Sequence, residues 1–169
     1  MLKKYQQLAP FALRLIIGYG SMAHGWAKLS RGVGGFEKLL TFLNVPLPHL
    51  MAWAVPLTEL LFGFAILIGL FISITAIPMI LVTLTAMLTV HLKYGFSSIK
   101  TIGLSANGPL FGPPGYEVDL LYIAGLIALI IIGSGSFSID SLITGKKEKG
   151  YVTNQPINHS LNQPNQLLD

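Results

Sequence analysis

The chain has 169 residues, enough for one domain. Hydrophobic residues make up 52% and charged residues 11%, against about 25% charge in an ordinary soluble domain, so the composition points to life in lipid. The formal charge is +4, but the basic residues are scattered or flank apolar runs, which argues against a nucleic-acid surface; with no cysteine, disulfides, thiol catalysis and thiolate metal sites are excluded within this chain.

Residues 1–9 form a short basic flank. The first apolar span runs from Pro10 to Leu29, close to the ~20 residues a helix needs to cross the hydrocarbon. Arg14 interrupts what would otherwise resemble a signal-peptide core, and three more spans follow, so the segment reads as a retained helix. Next, Phe36, Leu39, Leu40 and Leu43 recur at helical spacing. They predict a short amphipathic helix at the interface, ended by Pro46 and Pro48. The second span covers Leu50–Phe71 and the third Ser73–Leu92, joined by a tight turn and bent at Pro56 and Pro78. The long stretch KYGFSSIKTIGLSANGPLFGPPG follows, and its length and Gly/Pro content suggest a lid or a partly re-entrant loop on the helices. The fourth span covers Tyr116–Ile132. Residues 141–169 read as a polar, flexible tail.

The predicted fold is therefore all-α: an integral membrane four-helix bundle over residues 10–140, with a short amphipathic interfacial helix between spans one and two. Helices are the default because backbone polar groups in lipid must be satisfied internally. A soluble bundle would need polar outer faces, which these spans lack. Four spans place both termini on one side. The clustered Lys3, Lys4, Lys146, Lys147 and Lys149 favour the cytoplasmic side, making the chain a multi-pass cell-membrane protein.

Ionisable groups inside spans are costly and usually face the bundle interior. They are Arg14, His24, Lys28, Glu59, His91, Glu117 and Asp119. At ~1.5 Å per residue, His24 lies roughly 8 Å and Glu59 about 14 Å below the loop-side boundary. His91 and Glu117 lie within about one turn of it. Arg14 sits toward the other end. At ~100° per residue, Arg14, His24 and Lys28 share about 80° of arc, together with Ser21 and Gly25. Ser21-x-x-x-Gly25 and Ala65-x-x-x-Gly69 also read as small-residue packing faces.

A carboxylate near the midplane must be paired, hydrated or protonated, so Glu59 demands a partner, with His24 and Lys28 the obvious choices. Lys28 alone reads as a snorkelling anchor. Arg14 reads as snorkelling or holding carbonyls or phosphates, and Asp119 as an acid suited to a helix start. A Glu beside a His can exchange protons or hydrogen-bond the carbonyls of a quinone-like ligand. The candidate site is accordingly Glu59 and His24 for proton handling, with Lys28, His91, Glu117 and Tyr116 lining a ligand pocket. No local spacing supports a metal site. No phosphate loop, nucleophile elbow or dinucleotide fingerprint is present.

The segments LRLIIG, AHGWAKL, GGFEKLLTFLNVP, ELLFGFAILIGLF, TVHLKYGFSSIK and PGYEVDLLYIAGLIALIIIGSGSFSID occur in an order that resembles the DoxX family of small bacterial membrane proteins. The resemblance covers Ala12 to Asp140. It implies a left-handed four-helix membrane bundle in the bacterial inner membrane, with polar positions at His24, Lys28, Glu59, His91 and Glu117. It also implies a link to redox: a DoxD-type relative is the membrane part of a thiosulfate:quinone oxidoreductase, and some members partner soluble oxidative-stress enzymes. Without cysteine, any thiol or sulfur-transfer step must lie in a partner. The expected function is a redox-associated membrane subunit that binds a quinone or similar apolar ligand. Expected partners are the lipid bilayer, soluble redox enzymes or a second membrane subunit, and further copies of the chain. A non-catalytic scaffold for a partner complex and a small transporter are the alternatives.

Overall fold

The computed structural model describes residues 8–144. The basic flank up to residue 7 and the tail from residue 145 lie outside the described residues. The elements in order are α1 (Leu8–Ser30), α2 (Val33–Phe42), α3 (Pro48–Ile68), α4 (Ile72–Ala86), β1 (Thr101–Ser105), β2 (Gly108–Phe111), α5 (Glu117–Ile132) and α6 (Ile139–Thr144). After α4 the chain stays coiled through a π-turn at Met87–His91 and a 3-10 turn at Leu92–Tyr94. The structure is thus mostly helical, and its long helices fall on the four apolar runs.

Two of them are long and apolar enough to cross a membrane: α3, with 21 residues and a mean hydropathy of 1.9, and the coil from Ile72 to Tyr94, with 23 residues and 2.0. The 16 residues of α5 reach about 24 Å at 1.5 Å per residue. The 23 residues of α1 include Arg14, His24 and Lys28. The four long helices touch in a ring: α1 on α3, α3 on α4, α4 on α5 and α5 on α1. Ile17, Ile66, Ile72, Ala76, Met79, Leu126 and Leu129 form the buried core. Outward faces are also apolar, with Ile16, Leu61, Ile74, Leu81 and Ile131 exposed. A soluble bundle would place polar groups there.

The α1–α3 crossing is close because small residues meet backbone. A Cβ on Gly18 would lie 2.8 Å from the Gly63 carbonyl oxygen, and one on Gly25 would lie 2.7 Å from that of Pro56. Ser21 and Gly25 therefore do form a packing face of the small-residue kind. Gly69 has another role. It ends α3 with φ +71°, the left-handed conformation that favours glycine. The Leu70 N–H then donates to the Ala65 carbonyl at 2.8 Å, closing a Schellman cap.

The end of the molecule that holds this turn is fastened by two side chains. Arg14, 1% exposed, donates to the carbonyls of Ser134, at 2.7 Å, and Phe137. It thereby holds the chain that leaves α5. The Asp140 carboxylate accepts from the N–H groups of Phe71, at 2.8 Å, and Ile72, at 3.4 Å. That satisfies orphan donors at the start of α4.

Two details correct the sequence-based picture. Pro48 does not end the amphipathic helix; it occupies the first turn of α3, where a missing N–H costs nothing. And the fold is not purely helical: β1 and β2 pair antiparallel, with Ser105 opposite Gly108 and Gly103 opposite Leu110. A two-residue Ala106-Asn107 turn ahead of Gly108, φ +119°, and the β-branched Thr101-Ile102 pair favour a hairpin over coil. The hairpin's contacts are chiefly internal, and Ile102, Leu104, Leu110 and Phe111 are exposed. The expected lid packed on the helices is therefore a hairpin tied down at its base. There the N–H groups of Tyr116 and Glu117 donate to the carbonyls of Gly95, at 3.1 Å, and Phe96, at 3.0 Å.

Candidate functional site

At the opposite end from Arg14, an ion pair and a carboxylate–imidazole hydrogen bond bridge neighbouring helices. Lys28, in the last turn of α1, places its ammonium 2.5 Å from both carboxylate oxygens of Glu59 on α3. The close α1–α3 crossing at Gly25 brings the two backbones within reach of this pair. The Phe36 ring of α2 lies 5.4 Å from the same ammonium, within cation–π range. His91, at the end of the π-turn, places Nδ1 2.6 Å from the Asp119 carboxylate on α5. Irregular turns of this type are frequent at functional sites.

Both pairs line one cavity of about 100 Å³, together with Ser21, His24, Met79, Thr83 and Tyr122. Three of these groups differ in how well they are satisfied. The Thr83 hydroxyl donates to the Met79 carbonyl of its own helix at 2.8 Å. The His24 ring meets Tyr122 edge to face, with centroids 6.3 Å apart, and is otherwise exposed. Ser21 Oγ, in a residue only 2% exposed, has no hydrogen-bond partner among the described residues. An orphaned buried hydroxyl in a polar cavity is a place for water or a ligand atom. Gly20 makes room for the site, since a Cβ there would lie 1.8 Å from the Tyr122 hydroxyl.

Of the residues singled out by sequence, the structure gathers His24, Lys28, Glu59 and His91. Glu59 takes Lys28 rather than His24 as its partner. Glu117 and Tyr116 are not on the cavity wall. The Glu117 carboxylate instead accepts from the Ser98 N–H at 3.1 Å, and the Tyr116 ring stacks edge-on against Phe96 with centroids 5.6 Å apart; both secure the hairpin base. Asp119, read from sequence only as a helix-start acid, is the residue that reasoning missed. A signal was present: Asp119, Tyr122, Leu126 and Leu129 follow 3-4-3 spacing, which places them on one helix face. Glu117, about 200° away from Asp119 at ~100° per residue, falls off that face. Among the described residues, no three potential metal-binding side chains converge.

The DoxX family model matches residues 9–92. The chain belongs to the DoxX family. This is a membrane family, in keeping with the two membrane-length helices and the apolar exterior. The matched segment of this DoxX chain contains His24, Lys28, Glu59 and His91, whereas Glu117 and Asp119 lie beyond it. The chain is also similar to a Bacillus subtilis (strain 168) protein named "Putative oxidoreductase CatD", with 26% identity over 153 residues, covering 90% of this chain and 99% of the relative. No solved structure matches it.

Proposed function

We propose that this DoxX protein is a redox-associated membrane subunit whose cavity receives the polar head of a quinone-like ligand. The observation that carries the reading is the convergence of an interhelical ion pair, an interhelical carboxylate–imidazole hydrogen bond and a buried hydroxyl with no partner among the described residues on one cavity. Whole-ligand sites usually measure about 300–1,000 Å³, so the cavity of about 100 Å³ suits one edge of a ring. The rest of the ligand would lie in the lipid beside exposed His24 and Val118. Glu59 and His24 handle protons in this reading. Thiol or sulfur chemistry belongs to a soluble or membrane partner, because the chain has no cysteine. The oxidoreductase name of the Bacillus relative agrees with a redox role. Adding a short-chain quinone to the purified protein should raise its thermal stability, and Glu59→Gln should abolish the shift. A wild-type protein indifferent to quinones argues against the proposal.

A second reading is a non-catalytic scaffold, favoured by the fact that the Lys28–Glu59 and His91–Asp119 contacts each join two helices and that Lys28 contacts both Glu59 oxygens. In that case Glu59→Gln loosens the helices and leaves no ligand effect to lose.

We also propose that α1, α3, the α4 coil and α5 all cross the bacterial inner membrane, with both termini cytoplasmic. Their ring of contacts and apolar outer faces support this. The cysteine-free sequence makes the test clean. A membrane-impermeant maleimide should label Ala106→Cys in intact spheroplasts, and Ser73→Cys only after permeabilisation. The reverse pattern would invert the topology, and labelling of both would break the four-span arrangement.

A further inference from the structure

Of the six titratable side chains that line the cavity, four form two pairs, Lys28–Glu59 and His91–Asp119, and the pairs are not equivalent. Lys28 contacts both oxygens of Glu59, so the charge of that carboxylate is already compensated by a neighbouring helix. In the second pair, Asp119 engages only one ring nitrogen of His91, Nδ1, at 2.6 Å. An ionised carboxylate can only accept, so the proton of that bond sits on Nδ1. A neutral imidazole carries one ring proton, and Nε2 is then a free acceptor. Asp119 is buried, 8% exposed. It lies on the α5 face that carries Tyr122, Leu126 and Leu129 inward, so its position is fixed by the packing of the helix. The π-turn that ends on His91 brings the ring across to it from α4. The unpartnered Ser21 hydroxyl lines the same cavity and can supply a second hydrogen bond.

We propose that Asp119 is a positioning residue for His91. By accepting from Nδ1 it leaves Nε2 unprotonated, and Nε2 accepts a hydrogen bond from the phenolic hydroxyl of a reduced quinone. The identity of the ligand rests on the quinone reading above. The tautomer of His91 does not. Carboxylate-held imidazoles keep their orientation and basicity in this way when they bind metals or exchange protons. The assignment moves the principal acceptor of the site from Glu59 to His91.

The test is long-range proton–nitrogen NMR of the full chain in lipid nanodiscs, with ¹⁵N-labelled histidine. His24→Gln, His49→Gln and His159→Gln assign the His91 signals by elimination. The expected result is a protonated Nδ1 and an unprotonated Nε2 at His91 in the wild type. Asp119→Asn should lose this preference, with the Nε2-protonated form becoming the larger population. A short-chain hydroquinone should then move the wild-type Nε2 resonance. An Nε2-protonated His91 in the wild type overturns the positioning role, and needs no variant at Asp119 to be seen. Hydroquinone that binds, by its own line broadening, yet leaves Nε2 unmoved overturns the acceptor role. If no hydroquinone binds, the quinone reading fails and takes the proposed ligand with it. The tautomer still decides for or against the positioning role of Asp119.

Discussion

Lys28→Met should destabilise the protein by about 3–5 kcal/mol, the usual penalty for removing one member of a buried ion pair. Glu59 would be left as an unpaired carboxylate in a residue 7% exposed, in the middle of the apolar α3. Its only charged neighbour within hydrogen-bond reach among the described residues is the ammonium being removed. The double substitution K28M/E59L should recover most of the loss, since replacing a whole buried pair by apolar groups is often close to neutral. The four corners of the cycle can be measured by unfolding in mixed micelles. A single Lys28→Met variant as stable as the wild type would show that Glu59 does not depend on Lys28. A double variant no better than the single ones would place the penalty in packing instead.

The second large effect belongs to the other end of the molecule. Arg14→Met should cost about 3 kcal/mol, because two charge-assisted hydrogen bonds are lost, each worth about 1.5–3 kcal/mol when made, and their energies are not fully additive. The carbonyls of Ser134 and Phe137 lose their donor. The segment they hold leads directly to Asp140, which caps α4. Arg14→Lys should not restore the arrangement, since a single ammonium does not match a planar fork that reaches two carbonyls. Hydrogen exchange should rise across Ser134–Asp140 and at the Phe71 and Ile72 amides, while the Lys28–Glu59 end stays protected. Unchanged exchange in Arg14→Met would contradict the fastening role.

The sequence carries much of this fold because lipid leaves few options. Long apolar runs must be helical, and α1, α3, α4 and α5 fall on those runs. The amphipathic α2 is equally legible, since Phe36, Leu39 and Leu40 mark one face. The role of Pro48 is ambiguous in sequence because a proline can either stop a helix or start one, and only the backbone on its far side distinguishes the two. The hairpin was hidden by its Gly/Pro content, although Asn107-Gly108 is itself a turn signal.

The site was legible in part. A carboxylate at the depth of Glu59 announces that it needs a partner, and the depth of Lys28 makes it eligible. Choosing Lys28 over His24 depends on side-chain reach across a helix crossing, which no spacing along one chain encodes. Asp119 was harder, because an acid two residues into a helix has a sufficient local explanation. Its partner His91 is 28 residues away and reaches it through a π-turn. Such a turn shifts the phase of a helix by one residue and so defeats a strict 3.6-residue projection. Glu117 was drawn into the pocket by proximity in sequence, while the helix face sends it to the hairpin base.

The most direct test of the central claim is an experimental density map of the protein with a short-chain quinone, in a lipid environment. Ligand density is expected between the Lys28–Glu59 and His91–Asp119 pairs, with a ligand oxygen within hydrogen-bond distance of His91 or Ser21. A map in which these side chains close on one another, with the quinone absent or bound elsewhere, would contradict it.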